Sequence, residues 1–297
     1  MKLGKFELLP VADGPIKLDG GMIFGIVPKP LWSKLVQPDE LNRVVLHTNC
    51  MLVRMPGRNV LIECGMGRKH SDKLRGIYGL QDDVQLVTSL DNVGLKPEDI
   101  SAVICTHLHL DHVGAGTRFR TAQDADGSCP AGSDPVECAV PTFPNATYYA
   151  QRGEWAAATH PNPITKATYL PENLIPLQRS GRLTLLNGDC EPIPGIRVHV
   201  TGGHTDHHQA IFVESEGQCI VFMGDIFPLN YSLRPAYNTA IDHHPLATMQ
   251  EKARMFDEAI RNNWLLWLYH DPQYTVIRIK HGKDCPEIAG VELPAGM

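Results

Sequence analysis

Four short apolar runs in this chain each end, within a few residues, on a side chain that can ligate a metal ion. Ala102-Val-Ile-Cys105 passes through Thr106 into His107-Leu-His109-Leu-Asp111-His112, and the run 196–201 passes through two glycines into His204. Cys219-Ile-Val-Phe-Met223 passes through Gly224 into Asp225, and Trp264-Leu-Leu-Trp-Leu-Tyr269 leads into His270. Short apolar runs bounded by glycine turns and helical segments read as buried strands of an α/β architecture. In such folds functional groups gather beyond the C-terminal ends of the strands. One strand ending in histidine is ordinary hydrogen-bonding chemistry, whereas four such ends predict a shared pocket.

The first run is the densest. Residues that alternate along an extended chain point the same way, so His107 and His109 can reach one ion. Beyond the turn, Asp111 and His112 can face a second. Imidazole mixed with carboxylate suits zinc and its borderline neighbours, where an all-oxygen set would suit calcium or magnesium.

Around these strands the periodicity is helical in two places. Val84, Leu86, Val87 and Leu90 predict one face of a helix over residues 82–93, stopped by Gly94 and Pro97. Met249, Ala253, Phe256 and Ile260 predict an amphipathic helix ending near Asn262 and Asn263, with Glu251, Lys252, Asp257 and Glu258 on its other side. Residues 117–144 are rich in Gly, Pro, Asp and Ser and read as a loop insertion, a candidate lid over the site. No fixed-period repeat is present.

Composition excludes other classes. Among 297 residues, 27 Lys and Arg stand against 33 Asp and Glu, a net charge of −6, which argues against a phosphate-tracking nucleic-acid binder. No run approaches the roughly 20 apolar residues of a membrane helix. Glu7 and Pro10 interrupt any secretory apolar core, so a cytoplasmic location is expected. The 8 cysteines are scattered without a Cys-x-x-Cys pair and read as reduced thiols, with a Cys129–Cys138 bridge left open for an oxidising compartment.

The order and spacing of the ligand motifs resemble the metallo-β-lactamase superfamily. Thr106-His-Leu-His-Leu-Asp-His112 with Val113-Gly114, Gly203-His204-Thr205, Gly224-Asp225 and His270-Asp271 carry the resemblance, which covers most of the chain. Val60-Leu-Ile-Glu-Cys-Gly65 is similar to the family's early strand ending in Asp-Thr-Gly, with Glu63 and Cys64 in place of the first two residues. The resemblance implies an α/β fold, a four-layer αβ/βα sandwich forming a single domain over residues 1–297. It also implies a dinuclear centre in which His107, His109 and His204 hold one metal, Asp111, His112 and His270 the other, and Asp225 bridges both. Zn2+ is the leading candidate, with Mn2+, Fe2+ and Co2+ as alternatives. Two such ions about 3.5–4 Å apart would share a water, lower its pKa toward roughly 7, and present hydroxide at neutral pH. Asp111 would orient that hydroxide and pass a proton to the leaving group.

Phe143-Pro-Asn-Ala146 and Glu154-Trp155 resemble the branch of N-acyl-homoserine lactonases and methyl-parathion-hydrolase-like enzymes. That implies a small-molecule lactone or ester as substrate and a homodimer. The alternatives are an organophosphate triester or β-lactam hydrolase, or an iron-dependent oxidoreductase on the same fold. Some lactonases of the family place a substrate-contacting tyrosine soon after the bridging aspartate. Here Phe227 and Pro228 fill the near positions, and Tyr231 is the candidate substitute. Met22, Ile23, Phe24, Ile26, Leu31 and Trp32 form an apolar stretch that either lines an acyl pocket or packs in the core. Asp206, His207 and His208 are candidate supports for the ligands, while His243 and His244 read as loop or helix-entry residues.

Overall fold

Each of the four runs is a strand in the computed structural model, which describes residues 1–294. Fourteen strands form two seven-stranded sheets in which spatial order follows chain order. The first sheet comprises β1 (Lys2–Leu3), β2 (Phe6–Ala12), β3 (Asn49–Met55), β4 (Arg58–Ile62), β5 (Ala102–Ile104), β6 (Thr147–Gln151) and β7 (Leu183–Leu186). The second comprises β8 (Cys190–Ile193), β9 (Ile196–Val200), β10 (Gln209–Ser215), β11 (Gln218–Phe222), β12 (Leu265–Trp267), β13 (Tyr274–Lys280) and β14 (Glu287–Pro294).

Alternation along the central strands explains why the sheets stack. In β10 and β11, Ile211, Val213, Ile220 and Phe222 join a core shared with Leu52, Val60 and Val103 of the first sheet. Their neighbours Phe212, Val221 and Met223 face the other way, onto Met255, Phe256 and Ala259 of the helix Pro245–Asn262. Successive side chains on a strand point to opposite faces, so a strand apolar throughout must be covered on both. The helices Leu86–Asn92, Arg152–Thr159 and Pro171–Arg179 contribute Leu86, Leu90, Trp155, Leu174 and Leu177 to the core of the first sheet. The result is the helix, sheet, sheet, helix layering expected from the resemblance.

Parallel pairing sets where the functional ends emerge. β5 runs parallel to both β4 and β6, and β11 runs parallel to β12 through Ile220 opposite Leu265 and Phe222 opposite Trp267. β9 is antiparallel to β10, which is antiparallel to β11, so β9, β11 and β12 finish at the same edge.

Local readings needed correction in several places. The helix expected over 82–93 spans only Leu86–Asn92, with Leu86 and Leu90 buried and Val87 exposed. The N–H of Leu86 is bonded to Asp13 Oδ1, a partner 73 residues away, which fixes where the helix starts. The helix Pro245–Asn262 ends as expected, with Asn263 in the left-handed region, but its buried face is Thr248, Lys252, Met255, Phe256 and Ala259. Lys252, expected outside, is 1% exposed because its Nζ donates to Tyr237 O and Asn238 Oδ1 at 3.0 and 2.7 Å.

Residues 117–144 are partly structured. Thr117–Phe119 pairs with Ala139–Pro141, and both strands pack on the helix Pro171–Arg179. Cys129 and Cys138, read as reduced, are joined as a disulfide with Cα atoms 5.5 Å apart. The turn after Cys129 and the short helix Pro135–Cys138 fold the chain back to allow this. Among the described residues no helix is long and apolar enough to cross a membrane.

Candidate metal centre

The strand ends bring all seven predicted ligands together. Nitrogens of His107, His109 and His204 lie within 4.8 Å of one another, as do ligand atoms of Asp111, His112 and His270. His109 Nδ1 stands 3.0 Å from His107 Nε2 and 3.2 Å from His204 Nε2. The carboxylate of Asp225 reaches both groups, with Oδ1 3.3 Å from Nε2 of His112 and of His270 and Oδ2 3.4 Å from His204 Nε2. Asp111 stands at the edge, its Oδ2 3.6 Å from His270 Nε2 and its Oδ1 3.9 Å from His112 Nε2.

Hydrogen bonds behind the imidazoles fix which nitrogen faces inward. His270 Nδ1 donates to the His47 carbonyl at 2.9 Å, leaving the Nε2 lone pair free. Thr106 Oγ1 donates to Glu63 Oε1, so it accepts from His107 Nδ1 at 2.9 Å and turns His107 Nε2 inward. His204 Nδ1 is held by Asp242 Oδ1 at 2.9 Å, and His112 Nδ1 lies 3.2 Å from Glu63 Oε1. Partners of this kind orient metal-binding imidazoles and raise their basicity.

Electrostatics follow from the same contacts. Burial first, and neighbouring imidazoles second, hold His107 and His109 well below the usual histidine range, so both present neutral imidazole. Burial also opposes charge on His112, but the carboxylates of Asp225, Glu63 and Asp111 outweigh it and raise its pKa. Burial likewise opposes charge on Asp225, yet His112, His270 and His204 hold its carboxyl well below the usual range. Asp225 Oδ1 and Glu63 Oε2 are buried without a hydrogen-bond partner. A buried carboxylate oxygen without a hydrogen-bond partner, faced by imidazole nitrogens of His112 and His270, is an arrangement that a cation compensates. The donor set therefore fits a pair of divalent ions.

Several supports were not legible in the spacing. Asp242, 38 residues from His204, has no motif of its own; Thr239 Oγ1 donates to it at 2.7 Å. Glu63 sits at φ 65 just past β4, and Thr106 N donates to its Oε1 at 2.9 Å. It takes the supporting place that the departure from Asp-Thr-Gly had left open. Glu154 is 1% exposed and ties Leu108 N, Tyr169 OH and Thr205 Oγ1 together at 3.1, 2.9 and 2.7 Å.

His208 acts on backbone, its Nε2 accepting from the Asp225 N–H at 3.2 Å. Gly224 makes room for it: at φ 54, a Cβ there would lie 2.5 Å from that Nε2. Asp206 is exposed and contacts His244 instead of a ligand. His244 stands at the N-cap position of the helix Pro245–Asn262, as expected of a helix-entry residue, without a side-chain bond to the helix N–H groups.

The centre opens into a narrow cleft of about 30 Å³, lined by Asp111 and His270 with Leu18, Met22, Ile23 and Tyr78. Leu18, Met22 and Tyr78 are shared with a wider hollow of about 500 Å³ on one side. His109, Thr168 and Ile241 are shared with another of about 510 Å³. No residue of 117–144 lines any of these three spaces, so the expected lid is not what covers the cleft. The stretch from Met22 to Trp32 divides its work: Ile23, Phe24 and Trp32 are buried core, Met22 and Ile23 line the cleft, and Ile26 and Leu31 are exposed.

Tyr231 does not line the cleft. Its phenol donates to the Leu35 carbonyl at 3.0 Å, and its ring packs near Phe24. The phenol that does reach the cleft is Tyr78, the last residue of the helix Asp72–Tyr78 before left-handed Gly79.

A family model described as the metallo-beta-lactamase superfamily matches residues 43–260. The chain belongs to the metallo-β-lactamase superfamily. Within it, the chain is 26% identical over 192 residues to an N-acyl homoserine lactonase of Bacillus cereus, covering 61% of this chain and 64% of that one. It is 29% identical over 195 residues to an N-acyl homoserine lactonase of Bacillus sp, covering 62% and 64%. The chain thus spans about two thirds, or slightly less, of each relative's length. A solved structure of a probable metal-dependent hydrolase from Staphylococcus aureus matches with TM-score 0.87 and 33% identity over 100% of both chains. AidC, a dizinc quorum-quenching lactonase solved with a product, shares the fold at TM-score 0.75 and 17% identity, covering 99% and 97%.

Asp242 gives the first test of the centre. Asp242→Ala is expected to weaken metal binding about 10- to 100-fold, the usual cost of losing a partner behind a ligand. Competition with a chromophoric chelator measures this, and unchanged affinity would remove Asp242 from the support of His204.

Proposed function

We propose that this metallo-β-lactamase superfamily member is a metal-dependent hydrolase that opens a lactone or cleaves an ester, with N-acyl homoserine lactones as the first candidate substrates. The observation that carries the reading is Asp225, whose two carboxylate oxygens each face a different imidazole group at 3.3–3.4 Å. His107, His109 and His204 would hold one ion, Asp111, His112 and His270 the other, with Asp225 between them; imidazole and carboxylate favour zinc. A pair of bound ions would lower the pKa of a shared water from 15.7 toward roughly 7 and polarise a carbonyl oxygen.

The chain's own residues do the rest. Asp111, at the open edge of the cleft, accepts on a carboxylate oxygen the proton that remains on the attacking water after its first proton has gone to solvent. Water oxygen bonds to the carbonyl carbon, the ring or ester C–O bond breaks, and Asp111 returns the proton to the departing alkoxide. The products are a carboxylate and an alcohol. Leu18, Met22, Ile23 and Ile241 offer an apolar wall for an acyl chain. Tyr78 lacks a hydrogen-bond partner among the described residues, and burial, then the Asp111 charge, raise its pKa. It stays protonated at neutral pH and can donate to a substrate oxygen.

Tyr78→Phe is expected to lower kcat/KM about 10- to 100-fold with metal content unchanged, as for a lost donor at a developing charge. Tyr231→Phe is expected to leave both unchanged. Equal effects in the two variants would remove Tyr78 from substrate contact. The reading as a whole is tested by a metal-reconstituted screen over acyl lactones of graded chain length, aryl esters, phosphotriesters and β-lactams. Ratios of kcat/KM report transition-state discrimination. A preference for phosphotriesters or β-lactams would replace the substrate class. Absence of bound metal and of all turnover after Zn, Mn or Co addition would overturn the hydrolase reading.

A further inference from the structure

A second cavity, of about 330 Å³, is walled by residues on both sides of the turn that follows His112, and it shares no lining residue with the metal-site cleft. Its size falls in the range of small-molecule sites. Three cationic side chains line it, Arg68, Lys69 and Arg118, against the single carboxylate of Asp13.

Most of that polarity is already spent. Asp13 accepts from Gly67 N, Leu86 N and Arg68 Nη1 at 2.7, 2.9 and 3.2 Å. Arg68 also donates to the carbonyls of Gly67, Asp13 and Val84, and Arg118 forks onto Asp124 at 2.8 and 2.7 Å. Besides the Nε–H of Arg68, which is buried without a hydrogen-bond partner, two donors are left over. Lys69 makes no ion pair among the described residues; its Nζ uses two of three N–H groups on the carbonyls of Gly114 and Thr117. Thr142 is 4% exposed, and its hydroxyl has no partner. Burial lowers the Lys69 pKa to about 8 despite the more distant charges of Glu172 and Asp13. Apart from Gln85 and Thr117, the remaining side chains of the wall are apolar: Leu86, Val87, Ala115 and Phe119.

A largely desolvated ammonium with no ion-pair partner and a buried hydroxyl without an acceptor are both costly, and one bound anion answers both. One spare N–H and one O–H match the two oxygens of a carboxylate. A phosphate dianion would need more donors than these, most N–H groups of the two guanidinium groups being committed elsewhere, and it would leave the apolar wall uncovered. We propose that this cavity binds a small monocarboxylate with a short alkyl chain, its head held by Lys69 Nζ and Thr142 Oγ1 and its chain lying on Leu86, Val87 and Phe119. The site stands whatever substrate the metal centre takes.

A carboxylate can also bind a metal pair, so the test must separate the two places. Hexanoate is titrated calorimetrically into metal-loaded wild type, Thr142→Val and Val87→Trp. Val87 lies outside the polar set, and an indole there would fill the cavity. Saturable binding is expected in wild type, about 10- to 100-fold weaker in Thr142→Val through loss of one hydrogen bond to a charge, and absent in Val87→Trp. Thermal midpoints show whether the variants are folded. Should either fail to fold, 6-bromohexanoate soaked into wild-type crystals locates the ligand by bromine anomalous scattering, expected beside Val87 and Phe119. Equal affinity in all three proteins, bromine confined to the metal cleft, or no saturable heat at millimolar hexanoate would each overturn the proposal.

Discussion

His109→Ala is expected to lose bound metal and turnover together. His109 is the hub of its group, with Nδ1 at 3.0 and 3.2 Å from the facing nitrogens of His107 and His204. Losing a direct ligand from a set of three should cost more than the 10- to 100-fold typical of an outer partner, so affinity is expected to fall by more than about 100-fold. Without the ion the water pKa reverts from roughly 7 toward 15.7, and turnover should drop below about one thousandth of wild type. Elemental analysis of dialysed protein, with kcat/KM from the same preparation, reads both losses. Full metal content in a folded His109→Ala protein would refute its place as a ligand, and lost turnover with retained metal would reassign it to substrate contact.

The candidate ligands were legible because they stand where strands end. An apolar run and a polar residue at its tip are local features, and a layered sheet turns several such tips into one place. That is how His204, Asp225 and His270 could be joined to the cluster at His107 although they lie far along the chain. The supports behind them carry no such mark. Asp242 sits in a loop, and its value depends on His204 being turned toward it. Glu63 could be recognised as a departure from the family's pattern, but its contact with His112 depends on a left-handed backbone that only coordinates display.

The same division runs through the fold. The amphipathic helix at 245–262 was evident from periodicity, yet its buried face was misplaced because Lys252 was counted as a solvent residue. Burial of its ammonium rests on Tyr237 O and Asn238 Oδ1, acceptors brought in from a separate segment. Tyr231 was chosen by its distance along the chain from Asp225, but position in space favours Tyr78, about 150 residues earlier, through a helix that ends against the cleft. Sequence spacing predicts neighbours along an element and poorly predicts which element will face which.

Gly114→Ala is expected to be among the most disruptive small changes in the chain. Gly114 has φ −54, a conformation open to any residue, so the constraint is space and not backbone freedom. An added Cβ would stand 2.0 Å from the Met66 carbonyl oxygen and 2.5 Å from its carbon. That neighbour cannot yield cheaply. Cys64 N donates to His112 O at 2.7 Å, Ala115 N donates to Gly65 O at 3.3 Å, and Gly65 bridges to Val113. Moving the turn at 64–67 breaks these bonds, and moving the other partner displaces the short helix Leu110–Val113 that carries Asp111 and His112. Overpacking a tight site costs about 1–3 kcal/mol even where side chains can adjust; against fixed backbone the loss should reach about 3 kcal/mol or more. Gly76→Ala is the matched control. Gly76 is exposed in the helix Asp72–Tyr78 with nothing within 4 Å of its added Cβ, so a gain of about 0.5–1 kcal/mol is expected. Urea unfolding at fixed metal loading measures both. Because the strained segment carries two of the candidate ligands, Gly114→Ala should also retain less metal than wild type, a second readout that a purely global loss of stability would not give in protein still folded without denaturant. A Gly114→Ala protein as stable as wild type would mean that the Met66 carbonyl does not rest against this turn, and with it would go the tight seam that seats Asp111 and His112.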